Sequence, residues 1–255
     1  ASSGANGLRW NCNGFFQMTD PTPLTPTHSR TREREPNRAC VIEVSGESIE
    51  LRADKTAFWP AQRTLFVADA HVGKAAVFRA RGLPVPEATT DETLAALAQA
   101  LADTGATHLV LLGDFLHARE AQHPAVLGAL SDWRARHATL AVTLVRGNHD
   151  RHAGDPPPDL AMALADEPLR LGALAACHHP QRLPGATVLA GHVHPVIGLA
   201  GPGRDGLRLP CFHHAPGLLV LPAFGAFTGG QRVAPAPGER CYAVGAGRVW
   251  PVGVG

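Results

Sequence analysis

Apolar residues along this chain gather into short runs divided by polar turns, and their period changes from one end to the other. Ile42, Val44, Ile49 and Leu51 alternate with polar residues on either side of Ser45-Gly46, which predicts a hairpin of half-buried strands. Thr64 to Val67 predicts a short buried strand. From Thr89 to Ala102 the period becomes helical: Leu94, Leu97 and Leu101 share one face, Thr89 and Glu92 have capping-box spacing, and Gly105 supplies a stop. His108 to Leu112 predicts a strand. A second helix follows from about Pro124 to Arg136, with Val126, Leu127, Leu130 and Trp133 facing inward. Leu140 to Val145, Leu169 to Cys177 and Thr187 to Leu189 read as further strands. The last third is rich in strands, Gly and Pro and has no helical period. No internal repeat is visible. A β-α-β-α-β order passing into β-rich sequence, with strands apolar on both faces, predicts an α/β fold.

Composition narrows this little. A length of 255 residues and a hydrophobic content of 45% suit one domain with a substantial core. The expected division is a disordered or non-native segment over 1–37, rich in Gly, Asn, Pro and Thr with Met18 as a possible natural start, and a single domain over 38–255. A net charge of +1 gives no strong field toward nucleic acid or membrane, so a nucleic-acid ligand would need a local basic patch. The five cysteines are scattered without a C-x-x-C pair, which fits a reducing cytoplasm. No apolar run approaches the roughly 18 residues of a membrane span, and a signal peptide fits poorly.

The chemistry sits in five polar islands, each directly after an apolar run: Asp69-Ala70-His71, Gly113-Asp114, Gly147-Asn148-His149-Asp150, Cys177-His178-His179-Pro180 and Gly191-His192-Val193-His194. In open α/β sheets the ligand crevice lies beyond the carboxyl ends of the strands, so these islands are expected to meet on one rim. Together they offer enough carboxylate, amide and imidazole to hold two divalent cations side by side. Two adjacent cations can clamp the attacking and leaving oxygens of a phosphoester. Mixed oxygen and imidazole donors suit manganese, iron or zinc, and the absence of Cys-rich spacing argues against a structural zinc site. Asp114 can bridge two cations, Asn148 offers a neutral oxygen, and His192 and His194 can each address a different ion. In the fourth island His178 directly follows the apolar run and is favoured as ligand, with His179 as the alternative. Outside the islands, His28, His108, His123, His137, His152, His213 and His214 read as structural or solvated. Asp159, Asp166 and Glu167 read as a solvated connector. Lys74 and Arg79 are either a solvated helix face or contacts to substrate phosphate.

Between Asp69 and His194 the ordered set D-x-H, G-D, G-N-H-[DE], H and G-H-x-H resembles the calcineurin-like metallophosphoesterases. That resemblance implies a four-layer sandwich of two mixed β-sheets flanked by helices, with the metal site at strand carboxyl ends. It implies Asp69, His71, Asp114 and His194 around a first ion and Asp114, Asn148, His178 and His192 around a second. It also implies His149 as an off-metal acid toward the leaving oxygen, oriented by Asp150. His117 departs from the wider pattern, in which an acid or asparagine often follows G-D. That placement makes His117 a candidate substrate contact. A narrower likeness spans Ile42 to Gly230. It rests on Asp69-x-His71-x-Gly73-Lys74-Ala75-Ala76-x-Phe78-Arg79, on Gly82-Leu83-Pro84-Val85-Pro86, on Leu209-Pro210-Cys211-Phe212 and on Leu221 to Gly230. These segments resemble the PdeM family of ligase-associated DNA damage response endonucleases. That likeness implies a cytoplasmic, often manganese-dependent nuclease or phosphodiesterase working with a DNA ligase and a helicase in repair.

Overall fold

The computed structural model describes residues 39–74, 82, 89–200, 206–226 and 228–252. The expected N-terminal segment 1–37 and Arg79 lie outside them.

The first sheet has seven strands in chain order: β1 (Cys40–Val44), β2 (Glu47–Leu51), β3 (Ala57–Trp59), β4 (Thr64–Val67), β5 (His108–Leu111), β6 (Ala141–Val145) and β7 (Ala163–Ala165). β1 to β4 pair antiparallel and β4 to β7 parallel. The predicted hairpin sets Ile42 opposite Ile49. Ser45 and Gly46 make its turn with φ of 50° and 80°, the pair of positive angles that matches strand twist. Among the described residues, α1 (Thr89–Thr104) lies between β4 and β5 and α2 (Pro124–Arg136) between β5 and β6. Gly105 ends α1 with φ of 61°, donating its N–H to Leu101 O at 2.8 Å. α2 opens on His123, whose ring accepts the Ala125 N–H, a capping role that needs no chemistry beyond the helix end.

The second sheet contains β8 (Leu169–Leu171), β9 (Leu174–Ala176), β10 (Thr187–Ala190), β11 (Pro195–Ala200), β12 (Gly206–Ala215), β13 (Leu218–Val220), β14 (Gln231–Arg232), β15 (Arg240–Gly245) and β16 (Arg248–Val252). It too is mixed, with β9, β10 and β13 parallel at its centre. The single strand expected over Leu169 to Cys177 is instead the hairpin β8–β9. Gly172 at φ 67° turns it, and an apolar run carries no sign of where it folds back. β7 was not visible in the sequence either, because its partner supplies the pairing and its side chains are mostly exposed.

Period-two alternation decides the layers. Leu65, Val67, Leu109, Leu111, Val142 and Leu144 pack with Leu94, Leu97, Leu101, Val126, Leu130 and Trp133 of the helices. Phe66, Ala68, Val110 and Leu112 point the other way, into a core shared with Ala176, Leu189, Phe212, Leu219 and Tyr242 of the second sheet. The helices among the described residues thus cover the first sheet. The outer face of the second sheet carries two smaller apolar clusters in which no described helix takes part. β4, β5 and β6 from one sheet and β9 and β10 from the other end at the same rim, and each leads directly into one of the five islands.

Candidate metal centre

Local backbone strain marks the rim. Asp69, His71, Asp114, His192 and His194 all have positive φ, between 47° and 70°. A non-glycine residue there is uncommon and is held in place only by its surroundings. Those surroundings are visible. Asp69 accepts the His192 N–H at 2.9 Å, and Asp114 accepts the His149 N–H at 2.9 Å. Phe224 and Gly225 donate their N–H groups to Ala68 O and Asp69 O at 2.8 and 3.1 Å. Lys55 donates to Phe224 O and pins that loop in turn. Phe224 and Gly225 therefore brace the Asp69-Ala70-His71 island from behind.

Three groups of donor atoms converge. Nitrogen or oxygen atoms of Asp69, His71 and His194 lie within 4.8 Å of one another, as do those of Asp69, Asp114 and His178, and those of His178, His179 and His192. Asn148 joins the second group through Oδ1, 2.9 Å from His178 Nε2. All seven sequence-predicted ligands are thus within one continuous constellation. Lys74 begins the segment that leaves it, half-buried with its ammonium pKa lowered by burial.

Backbone carbonyls fix the imidazoles. A carbonyl only accepts, so the ring nitrogen facing it must carry the hydrogen. His178 Nδ1 faces Leu112 O at 3.0 Å, and His194 Nδ1 faces Gly229 O at 3.1 Å. In the neutral form of each ring, the form that could ligate a cation, Nε2 is the nitrogen left with a lone pair, on the side of the carboxylates. His178 Nε2 then has Asp114 Oδ1 at 3.4 Å and His192 Nδ1 at 3.0 Å. His194 Nε2 has Asp69 Oδ1 and His71 Nε2, each at 3.4 Å. Burial, and then His117, Lys74, His194 and His149, push the His71 imidazole down to about 2, so it stands neutral. Burial opposes charge on His194, but the hydrogen bond and attraction of Asp69 outweigh it and raise its pKa.

Asp69 and Asp114 are 0% and 2% exposed, and among the described residues neither pairs with Arg or Lys. Burial, against the help of the His149 N–H, raises the Asp114 pKa, and Asp69 adds to the rise. No described Arg or Lys offsets the two buried carboxylates, and divalent cations would supply the counter-charge. The donor set therefore fits the metals.

The glycines permit this closeness. Gly113 has φ of 79°, and a methyl group on it would overlap the His178 ring. Gly113→Ala is expected to cost at least about 1–2 kcal/mol from the backbone angle alone and to displace His178. Urea unfolding in chelator measures this; a wild-type midpoint would refute it.

His149 stands apart from the donor groups. Its Nδ1 donates to His117 O at 2.7 Å, which leaves Nε2 to hold or deliver a proton, and its side chain is 39% exposed. Asp150, expected to orient His149, is engaged elsewhere: its oxygens accept Gly147 N–H at 2.9 Å and Leu116 N–H at 3.0 Å. It ties α3 (Asn148–Ala153) to the Gly113-Asp114 loop and positions His149 only through the backbone. His117 does more than line the site. Its ring stacks on His149 at 4.9 Å and its Nδ1 lies 3.2 Å from His71 Nδ1. Glu167, read from sequence as connector, receives the His178 and His179 N–H groups, each at 2.8 Å, and the His179 ring at 2.6 Å.

Residues 62–180 match the family described as Calcineurin-like phosphoesterase. The chain is similar to the crystal structure of Pseudomonas putida nuclease MPE, with 49% identity and a TM-score of 0.75 over 84% of this chain and 100% of that one. Among curated proteins none matches.

Proposed function

From the premise that this chain belongs to the calcineurin-like phosphoesterases, and is therefore a metal-dependent phosphoester hydrolase, we propose that it is a dinuclear phosphodiesterase that cleaves DNA. The observation that carries this reading is the pair of donor groups joined through Asp69, Asp114 and His178. Asp69, His71, Asp114 and His194 would hold one ion and Asp114, Asn148, His178 and His192 the other. Manganese is favoured, with iron or zinc as alternatives, because the donors mix carboxylate with imidazole. Bound divalent cations would acidify water and neutralise charge on the phosphoryl oxygens.

The chain's own groups do the rest. His117 O holds the His149 Nδ1–H, so Nε2 is the nitrogen that would take up a proton from solvent and, in the charged ring, pass it to the leaving oxygen. Gly147, Gly113 and Gly191 bring their strands close enough for the carboxylates to reach both sides of the rim. Lys74 and Arg79 are proposed to contact substrate phosphates, and His117 to line the path beside His149. The nuclease name of the Pseudomonas putida relative supports a nucleic-acid substrate, and the resemblance noted above supports DNA in a cytoplasmic repair setting with a DNA ligase and a helicase. Among the described residues no helix is long and apolar enough to cross a membrane. Residues 38–255 are read as one domain.

One observation favours a smaller substrate. The net charge is +1, and the arginines beside α3 are already paired, Arg146 with Asp155 at 2.7 Å and Arg151 with Asp166 at 3.2 Å. A panel of manganese, iron, zinc and magnesium against single-stranded DNA, duplex DNA and small mono- and diesters separates the two. Cleavage of DNA with manganese is expected. Hydrolysis confined to small esters would move the reading to a small-molecule phosphatase or cyclic-nucleotide phosphodiesterase. An intact, metal-replete protein inert toward every ester would indicate a non-catalytic module.

A further inference from the structure

The fourth island carries two adjacent histidines, and the site as described uses only one. His178 is fully buried and inside the donor constellation. His179 is 46% exposed on its side chain, yet it does not wave in solvent. Its Nδ1 faces Glu167 Oε1 at 2.6 Å, and its own N–H is held by the other oxygen of the same carboxylate at 2.8 Å. A carboxylate that grips both the backbone and the ring of one residue removes most of that ring's rotational freedom.

The direction in which the ring is held matters. Its centroid lies 4.5 Å from that of His192 and 4.7 Å from that of His178. One ring nitrogen from each of the three comes within 4.8 Å of the other two. Glu167 only accepts once ionised, so Nδ1 of His179 carries the shared hydrogen. The available lone pair is then on Nε2. A histidine whose far nitrogen is hydrogen-bonded to a carboxylate is the arrangement in which imidazole is most basic toward a cation. The solvated-connector reading of Glu167 missed this, because the contact partner lies twelve residues away on another loop.

We propose that His179, oriented by Glu167, is an additional imidazole ligand at the second cation site, beside His178 and His192. This rests on the dinuclear reading above and extends it. A further nitrogen donor raises the affinity of that site alone. It also biases the site toward borderline ions and away from magnesium, which favours oxygen. Glu167 is a positioning residue that acts through His179.

The test is metal binding by the whole chain, read apart from turnover. The metal-free protein is titrated calorimetrically with manganese, and a cobalt(II)-loaded sample is followed by its visible absorption, which responds to the number of nitrogen donors. The proteins are wild type, His179→Ala and Glu167→Gln. Wild type is expected to bind two ions. His179→Ala is expected to keep the first ion unchanged and to weaken the second by at least about 10- to 100-fold, the range already seen when only an outer partner of a ligand is lost, with a shifted cobalt spectrum. Glu167→Gln keeps an acceptor for Nδ1–H and is expected to weaken the second ion less than His179→Ala does. Two ions bound to His179→Ala with wild-type affinity and an unchanged cobalt spectrum would overturn the inference while leaving the dinuclear reading intact. Wild type binding a single ion would remove the dinuclear reading and this inference with it.

Discussion

His149→Ala should retain both metal ions and lose about 10²- to 10⁴-fold in turnover, the usual contribution of a positioned general acid. The ring belongs to none of the groups of ligand atoms that could hold a cation. Its Nδ1 is committed to His117 O, so substitution removes a proton donor and leaves the carboxylates and the other imidazoles where they were. The Asp114 oxygen that accepts the His149 backbone N–H keeps that partner, because the contact is to the main chain. Metal analysis and turnover measured on the same preparation check both. Near-normal turnover, or loss of metal together with turnover, would contradict the assignment.

Asp114→Asn should empty the site without harming the fold. The amide keeps an oxygen for the His149 N–H and the same shape, but it loses the charge that two cations would share. In the metal-free chain that charge is itself unfavourable, since burial raises the Asp114 pKa. The sign follows directly. A carboxyl whose folded pKa is raised is penalised once pH exceeds its unfolded value, so at neutral pH removing the charge removes the penalty. Metal-free Asp114→Asn should then be at least as stable as metal-free wild type. With metal present the order reverses, because wild type gains stability as RT ln(1 + [metal]/Kd) and the variant does not. Thermal unfolding with and without manganese, alongside elemental analysis, measures this. Unchanged metal content in the variant would remove Asp114 from the bridging position.

Much of the scaffold was legible in the sequence. Strands apolar on both faces and helices with one apolar face have distinct periods, and α1, α2 and the β1–β2 hairpin follow them closely. The five islands were visible because each breaks an apolar run with residues that have no business in a core. What escaped notice was carried by atoms common to every residue. The carbonyls of Leu112, His117 and Gly229 set three histidine tautomers, and no side-chain identity announces that. The Gly172 turn splits one expected strand in two for a similar reason, since apolar runs look alike on either side of a bend. The resemblance implied Asp150 as the residue that orients His149, and no sequence pattern announces that its carboxylate turns inward to two backbone N–H groups at the start of the helix. Glu167 was passed over because its value comes from His178 and His179, which only the fold brings near.

An anomalous difference map from manganese-soaked crystals tests the cage directly. Two peaks are expected, one among Asp69, His71 and His194 and one among Asn148, His178 and His192, with Asp114 touching both. A single peak, or metal bound away from these side chains, would contradict it.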